Sequence, residues 1–317
     1  MLSFVFAFVS ALSIGLACLL SSVAKWKGAS ARHWIVVLLL SAVGLVCFGA
    51  LIYQRTSLVE TRKKYTNCER LLSKGIETHR GNNSKGGKLR SRVSIVTSST
   101  DNFFVAEVTA AITSKYVQSQ DSEFVTFKRL QAPQHVLNMG LHPSWNKLWI
   151  IAEELDKLSD GDFVFWIDGD AAITNHEIDM AAFLDIIPAA DFIIANHLED
   201  DTSLNAGIFL VRKNAWSMKM MNLWRSAPDR SQKCCWEQDF LNGPVMKNFF
   251  DTSDGNHFAV ADFCLLNGLV PSKVSGVPEF PNFFFVSHTY GSRTPIEKKL
   301  FYWLKIAQRF GRLRLSI

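Results

Sequence analysis

The sequence predicts an α/β fold with a mostly parallel central sheet, and three observations support this fold class. First, the strand-like runs "RVSIVTSST" and "EFVTFK" are separated by "NFFVAEVTAAITSKYVQS", which has the pattern of a helix. Second, "PSWNKLWIIAEELDKL" carries apolar residues at intervals of three and four, which indicates another helix before the run "FVFWI". Third, short continuous apolar runs such as "FVFWI" are typical of strands buried on both faces of a parallel sheet.

The N-terminal part of the chain is hydrophobic and predicts attachment to a membrane. Residues 1–24 and 34–53 contain no charged residue, and each run is long enough to cross a hydrocarbon core of about 30 Å. We interpret residues 34–53 as a transmembrane anchor and residues 1–24 as a second membrane segment or a signal sequence. Residues 54–91 are polar, basic and rich in glycine, which predicts a flexible stem, and residues 92–317 are predicted to form the folded domain.

The net charge of +5 is unevenly distributed along the chain. Three basic residues lie between the two hydrophobic runs, and residues 55–92 hold eleven Lys or Arg against three Glu, which leaves −6 for the residues from Val93 onward. A basic stem attached to an acidic domain does not indicate a protein that binds nucleic acid. Basic residues follow both hydrophobic runs, so charge leaves the side of the membrane open.

The six cysteines include no pair with metal-type spacing. A disulfide from Cys234 or Cys235 to Cys264 in an oxidising lumen and buried free thiols are both open interpretations. The sequon at Asn82 is consistent with a lumenal stem.

Two aspartates end the apolar run in "FVFWIDGDAAIT". Residues two apart in an extended segment face the same side, so Asp168 and Asp170 can aim at one point while Gly169 lets the backbone approach closely. Ligands of open α/β sheets bind at the carboxyl ends of the strands, and two carboxylates suit Mg²⁺ or Mn²⁺ better than zinc. A solvated turn after the strand is the alternative.

Several later segments carry polar residues at predicted element ends. "LNAGIFLVRKNAW" is a predicted strand, "CWEQDFLN" predicts a helix start, and "FFFVSHTYGSR" predicts a strand that ends at His288. Each has a structural explanation on its own, because Asn, Asp and Glu cap turns and helices. Their combination favours a shared site.

Five blocks, "HPSWNKLWII", "DFVFWIDGDAAI", "LNAGIFLVRKNAWS", "EQDFLN" and "FVSH", occur in the order found in glycosyltransferase family 34, which the chain resembles from about Val93 to Arg293. The resemblance implies a GT-A fold with an N-terminal membrane segment. It also implies a retaining transferase that moves galactose, xylose or mannose from a UDP-sugar or GDP-mannose to a glycan acceptor. A Golgi membrane location with a lumenal catalytic domain follows from the same resemblance, as does the option of a homo- or hetero-oligomer.

The resemblance also assigns roles to residues. It implies Mn²⁺, with Mg²⁺ as the alternative, held by Asp168, Asp170 and His288. The donor would contact Thr97, Ser98, Ser99, Asp168, Asn205, Gly207 and Arg293, and the residues near the reacting centre would be Glu237, Gln238 and Asp239. The middle residue of this family's DxD motif is usually larger than Gly169.

Two other functions fit part of the pattern. A phosphohydrolase of the haloacid dehalogenase type would use Asp168 as its nucleophile, but its motif normally opens the domain, whereas about 75 residues precede Asp168 here. A non-catalytic membrane scaffold with the same fold predicts loss of the metal ligands, and all three candidates are present.

Overall fold

The structure is a computed structural model of the chain. It describes residues 44, 46, 49, 67, 68, 70–73, 77, 91–100, 103–197, 203–227, 236–243, 246, 248–250, 257–269, 284–289 and 296–310. The chain divides into two compact units, Met1–Lys64 and Tyr65–Ile317. Of the first unit only Gly44, Val46 and Gly49 are described, as helical residues, so the predicted segments 1–24 and 34–53 lie almost entirely outside the described residues.

The second unit alternates strands and helices, as predicted. Its strands are β1 Val93–Thr97, β2 Val125–Arg129, β3 Phe163–Ile167, β4 Ala171–Ile173, β5 Phe192–Asn196, β6 Leu204–Arg212, β7 Phe258–Ala261, β8 Gly268–Leu269 and β9 Val286–His288. Its α-helices are α1 Phe104–Gln118, α2 Gln134–Leu137, α3 Asn146–Asp156, α4 Met180–Ile186, α5 Ala215–Arg225, α6 Glu237–Leu241, α7 Phe263–Leu266 and α8 Ile296–Arg309, and a short 3-10 helix spans Pro143–Trp145. None of these helices is both long and apolar enough to cross a membrane.

The central sheet has the order β2-β1-β3-β6-β5-β7. Strand β1 pairs in parallel with β2 and β3, and β5 pairs in parallel with β7. Strand β6 runs antiparallel to both β3 and β5. Seven residues separate β5 from β6, too few for the crossover that a parallel pair requires. The reversal brings the start of β6 next to the carboxyl end of β3.

The burial of strand β3 on both faces explains why its sequence is continuously apolar. All five residues are buried, and they alternate between two hydrophobic clusters on opposite sides of the sheet. Phe163, Phe165 and Ile167 belong to one cluster, and Val164 and Trp166 belong to the other. The strand is therefore covered on both faces, as predicted, and its first solvent-accessible side chain on the carboxyl side is Asp168.

A second, three-stranded sheet has the order β4-β9-β8, and its strand β4 directly follows the two aspartates in the chain. Strand β4 pairs antiparallel with β9, so that Ala171 lies opposite His288. Helix α8 packs on α1, which in turn packs on β4. The sheet and the helix pair together bring the C-terminal part of the chain to the end of β3.

A disulfide joins Cys68 to Cys264 and so links the predicted stem region to α7. Cys264 therefore bonds to a cysteine of the stem region, whereas the sequence had left open a bond to Cys234 or Cys235. The latter two residues lie outside the described part of the chain.

Candidate active site

The two aspartates leave β3 under tight backbone constraints. The amide of Asp168 donates to the carbonyl of Gly207 in β6 at 2.8 Å, and the hydroxyl of Thr109 in α1 donates to the carbonyl of Gly169 at 2.8 Å. A Cβ at position 169 would lie 3.1 Å from the carbonyl oxygen of Ser98 and 3.2 Å from Cβ of Ala106. Helix α1 occupies the space that a larger middle residue would need, which gives a physical reason for glycine in this chain.

His288 meets the aspartates through the pairing of β4 with β9. Its Nε2 lies 3.1 Å from Oδ1 of Asp170, and one ligand atom each from Asp168, Asp170 and His288 lie within 4.8 Å of one another. A Cβ at Gly207 would lie 2.3 Å from Cε1 of His288. Only glycine leaves room for the ring at this position, so Gly207 helps to form the cluster by its missing side chain.

Asn267 determines which nitrogen of His288 carries the proton. Its amide nitrogen donates to the carbonyl of Asn196 at 3.1 Å, so its Oδ1, 3.0 Å from Nδ1 of His288, must accept a proton from that nitrogen. When the ring is neutral, the lone pair of Nε2 faces the carboxylate of Asp170 at 3.1 Å, and two such acceptors suit a cation bound between them. A histidine ligand whose other nitrogen donates to an oxygen is typical of metal sites.

Lys147 in α3 connects Asp168 with the start of α6. Its ammonium lies 2.9 Å from Oδ1 of Asp168, 2.9 Å from Oε1 of Glu237 and 2.8 Å from the carbonyl oxygen of Ala206. Its side chain is 4% exposed, and these three acceptors match the three N–H donors of a lysine. A buried ammonium is costly unless it is fully paired, so the arrangement holds Lys147 rigidly. Oδ1 of Asp168 also accepts from Nε1 of Trp166 at 2.7 Å.

Helix α8 supports Asp170 from the other side. Lys299 Nζ lies 2.7 Å from Oδ2 of Asp170. The backbone carbonyl of Asp170 accepts from both the amide and the hydroxyl of Thr289, at 3.0 and 2.9 Å, and Trp303 donates to that hydroxyl at 3.1 Å. The backbone and the carboxylate of Asp170 therefore have separate supports.

The charges around the cluster shift several pKa values. Burial tends to lower the pKa of Lys147, but the carboxylates of Asp168 and Glu237 outweigh it and raise that pKa. Burial tends to raise the pKa of Glu237 and of Asp170, but Lys147 lowers the first, and His288 in its protonated form together with Lys299 lowers the second. Burial raises the pKa of Asp168, and the nearby charge of Asp170 adds to this rise. A divalent cation would relieve the repulsion between the two aspartates.

Of the predicted site residues in β6 and α6, Asn205 and Gln238 hold backbone amides in place, whereas Asp239 is exposed. Asn205 is buried and its Oδ1 accepts from the amide of Gly207 at 2.8 Å, while Oε1 of Gln238 accepts from the amide of Ala206 at 2.9 Å. These contacts join the start of α6 to the start of β6. Asp239 lies on the exposed side of α6, where its Oδ2 accepts from the amide of Trp236 at 3.0 Å.

The residues predicted to contact the nucleotide follow β1, the neighbour of β3. Thr97 is buried at the strand end, the carbonyl of Ser98 approaches Gly169, and Oγ of Ser99 accepts from Arg129 at 2.9 Å. These residues and the aspartates share one edge of the sheet. Arg293 lies outside the described residues.

Sequence reasoning missed three residues of this cluster: Lys147, Asn267 and Lys299. Lys147 had a usable signal, because it lies between Trp145 and Leu148 in the first turn of an amphipathic helix, where a charged residue on the buried side needs a partner. Asn267 and Lys299 stand in segments without a recognisable motif, and their roles depend on tertiary contacts alone.

The chain was compared with protein-family models, curated proteins and solved structures to test the resemblance to glycosyltransferases. No protein-family model matches the chain. The chain is 27% identical over 197 residues to "Probable glycosyltransferase 7" of Oryza sativa subsp. japonica, a match that covers 58% of this chain and 40% of the rice protein. It is 30% identical over 99 residues to "Galactomannan galactosyltransferase 1" of Cyamopsis tetragonoloba, which covers 28% of this chain and 22% of that protein. The chain thus matches less than half the length of these curated relatives.

One solved structure shares the fold. A glycosyltransferase involved in the glycosylation of the major capsid of PBCV-1 superposes with a TM-score of 0.50 at 16% identity, covering 68% of this chain and 99% of that one. At this identity the likeness bears on the fold alone, and it agrees with the predicted α/β class. The chain is therefore related in sequence to plant glycosyltransferases and has the fold of a solved glycosyltransferase, which confirms the resemblance that the ordered blocks predicted.

Proposed function

We propose that the protein is a membrane-anchored, metal-dependent glycosyltransferase that moves a hexose or pentose from a nucleotide-sugar to a glycan acceptor with retention of the anomeric configuration. The observation that carries the proposal is the convergence of Asp168, Asp170 and His288 within 4.8 Å at the carboxyl end of β3. Galactose, xylose and mannose are the candidate sugars, carried by UDP or GDP.

The donor set fits Mn²⁺, with Mg²⁺ as the alternative. Two carboxylates and one imidazole are hard and borderline ligands, and the tautomer that Asn267 imposes on His288 leaves Nε2 as an acceptor. The three carboxylates of Asp168, Asp170 and Glu237 against the two ammonium groups of Lys147 and Lys299 give the cluster a charge of about −1 when His288 is neutral, which favours a cation. A bound Mn²⁺ would supply Lewis-acid stabilisation of the charge that grows on the leaving diphosphate.

The reaction forms a bond between an acceptor hydroxyl oxygen and the anomeric carbon, and it breaks the bond between that carbon and the donor phosphate oxygen. The bonding electrons stay with the nucleoside diphosphate, and the hydroxyl proton passes to the diphosphate or to solvent. Thr97, Ser98 and Ser99 would bind the nucleoside beside the aspartates. Arg293 would neutralise part of the diphosphate charge, in keeping with the family resemblance.

Glu237, which Lys147 holds in place, is suited to bind the donor sugar. Oε1 of the buried Glu237 pairs with Lys147, and the Ser144 side chain also hydrogen-bonds to this carboxylate, whereas Oε2 has no partner of regular hydrogen-bond geometry among the residues that the structure describes. A buried carboxylate oxygen without a donor is costly, so a sugar hydroxyl that donates to Oε2 would be bound strongly. Asn205 and Gln238 would hold β6 and α6 around the sugar, and Asp239 would orient the acceptor.

The location that we propose is a Golgi membrane with the catalytic domain in the lumen. Residues 34–53 would be the anchor, preceded by a second segment or a signal in residues 1–24 and followed by the stem. The disulfide between Cys68 and Cys264 supports a domain that folds in an oxidising compartment, because disulfides are rare in the cytosol. Mass spectrometry of the alkylated, non-reduced protein checks the bond, and loss of mass on deglycosylation at Asn82 checks the side of the membrane.

A donor screen tests the proposed function. The full chain in detergent is incubated with Mn²⁺ and UDP-galactose, UDP-xylose or GDP-mannose, and release of the nucleoside diphosphate is measured with and without a chelator. We expect chelator-sensitive turnover of one donor and its loss in Asp170→Ala with an unchanged circular dichroism spectrum; NMR of the product reports the anomeric configuration. Hydrolysis of simple phosphate esters without donor turnover would favour the phosphohydrolase, and tight nucleotide binding without turnover would favour the scaffold.

A further inference from the structure

Trp236 and His142 form an exposed aromatic pair beside the candidate active site. Their rings are stacked, with centroids 4.9 Å apart and an angle of 12° between the planes. Trp236 is 50% exposed, and His142 is also exposed. Large aromatic side chains that remain this accessible in a folded domain are frequently contact points for a ligand or partner.

The pair is held in position by contacts on both sides. Nδ1 of His142 accepts from the amide of Ser144 at 3.3 Å and lies 2.9 Å from the Ser144 hydroxyl. The amide of Trp236 donates to Oδ2 of Asp239 at 3.0 Å at the start of α6. These hydrogen bonds fix the imidazole of His142 and the backbone of Trp236, and the stacking places the imidazole against one face of the indole, which limits the side-chain entropy that is lost on binding. The rest of the exposed indole of Trp236 is the surface that is left for a ligand.

Both rings belong to segments that also supply the buried charges of the site. Trp236 directly precedes Glu237, and His142 begins the short turn that leads to Lys147 five residues later. Lys147 joins Glu237 to Asp168 through two contacts of 2.9 Å. The aromatic surface is thus next to the groups that would hold the donor sugar, on the β6 side of the sheet, whereas Thr97 to Ser99 lie on the β1 side.

We propose that Trp236 and His142 form the acceptor subsite, in which a pyranose ring of the glycan acceptor stacks on the indole of Trp236 while His142 packs against the other face of that indole. The proposal rests on the proposed transferase function and adds the residues that select its second substrate. One face of a pyranose exposes a row of polarised C–H groups, which pack on the electron-rich face of an indole. The sugar's hydroxyls then project sideways, towards polar groups such as the exposed carboxylate of Asp239 and the hydroxyl of Ser144.

The test compares Trp236→Ala, Trp236→Phe and His142→Ala with Phe301→Ala, which removes an aromatic ring that is 62% exposed on α8, away from this pair in the chain. The full chain in detergent is loaded with Mn²⁺ and its donor. Two rates are measured: hydrolysis of the donor without acceptor, and transfer to the methyl glycosides and disaccharides of glucose, galactose, mannose and xylose. Tryptophan fluorescence is titrated with the same sugars in the absence of donor.

We expect Trp236→Ala to lower the ratio of transfer to hydrolysis by about tenfold or more through a raised KM for the acceptor, with a smaller effect for Trp236→Phe and for His142→Ala. Phe301→Ala should match the wild type. The sugar-dependent fluorescence change should be lost in Trp236→Ala.

Three results would overturn the acceptor subsite: an acceptor KM in Trp236→Ala equal to that of the wild type, a raised KM for the donor instead, which would indicate stacking of the nucleobase, or no fluorescence change with any sugar. Absence of donor turnover in the wild type would instead reject the proposed function, and the fluorescence titration would still decide whether sugars bind to Trp236.

Discussion

Asn267 shows how a single side chain can determine the chemistry of the candidate cation site. It contacts neither aspartate, yet its contacts with Asn196 and His288 decide which ring nitrogen of His288 is an acceptor. Substitution of groups that orient a metal-binding histidine typically reduces metal affinity 10- to 100-fold, roughly, in known sites.

We therefore expect Asn267→Ala to weaken Mn²⁺ binding by about tenfold or more, as measured by electron paramagnetic resonance of free Mn²⁺. Asn267→Asp keeps an acceptor for Nδ1 and should retain most of the affinity. Asn222→Ala, a change on the exposed face of α5, is the matched control and should bind as the wild type does. Equal affinity in Asn267→Ala and the control would contradict the assigned role.

The aspartates and His288 could be predicted from the sequence because each stands at the end of an apolar run, where an α/β sheet exposes its first polar side chains. Lys147 and Lys299 were not predicted. A lysine in a helix is ordinarily a solvated residue, and only the tertiary structure brings these two within 2.9 and 2.7 Å of the carboxylates.

At the scale of elements, α8 and the small sheet form the second half of the site. The small sheet was not predicted, because β4 and β8 have three and two residues and carry no periodic pattern. The antiparallel direction of β6 was not predicted either, although the connection of seven residues from β5 to β6 is too short for a parallel pair. Both features are needed to bring His288 and Gly207 to the end of β3.

Helix α8 provides a charge that opposes the cation. Lys299 pairs with Oδ2 of Asp170, while Thr289 holds the backbone of Asp170 independently. Removing the ammonium should therefore change the charge of the site more than its geometry. Repulsion between a nearby ammonium and a divalent cation is of the order of several kcal/mol at an effective dielectric constant of about 20.

Lys299→Met is expected to bind Mn²⁺ about tenfold more tightly than the wild type in the absence of nucleotide, by isothermal titration calorimetry. Lys298→Met alters the exposed neighbour on the same helix and should leave the affinity unchanged. Weaker binding in Lys299→Met would mean that the lysine serves chiefly to orient Asp170, and the charge argument would then be wrong.

At the scale of the whole molecule, a buried acid links α3 to the central sheet and makes stability depend on pH. Glu154 is fully buried; its Oε1 accepts from the Ser94 hydroxyl at 2.7 Å and also pairs with Lys128. Burial tends to raise the pKa of Glu154, but the contacts with Lys128 and Ser94 outweigh it and lower that pKa. A carboxyl whose pKa is lower in the folded state stabilises at neutral pH, and this contribution disappears as the pH falls through the lowered pKa.

Glu154→Gln should reduce the free energy of unfolding at neutral pH by roughly 1–3 kcal/mol and make stability less dependent on pH below the ordinary carboxyl pKa of 4.5. Urea unfolding of the full chain in detergent, at neutral and acidic pH, measures both effects. Asp156→Asn breaks a surface pair of 3.5 Å with Lys213 and should change stability by less than about 0.5 kcal/mol. Parallel pH profiles for Glu154→Gln and the wild type would contradict the assignment.

The fold class could be predicted because strand and helix patterns alternate clearly after Arg92. The disulfide from Cys68 to Cys264 could not, since it joins residues 196 positions apart and no local pattern reports on such a pairing. The disulfide attaches the stem region to α7. Asn267, which contacts His288, directly follows α7, so the disulfide connects the stem region with the segment that orients His288.

The stoichiometry of bound Mn²⁺ tests the central claim most directly, because Asp168, Asp170 and His288 come from two distant parts of the chain and only the described fold unites them. Electron paramagnetic resonance of the full chain should find one Mn²⁺ per chain in the wild type and in Asp156→Asn, and none at the same concentration in Asp170→Ala or His288→Ala. Absence of bound Mn²⁺ in the wild type, or equal binding by Asp170→Ala, would contradict the account.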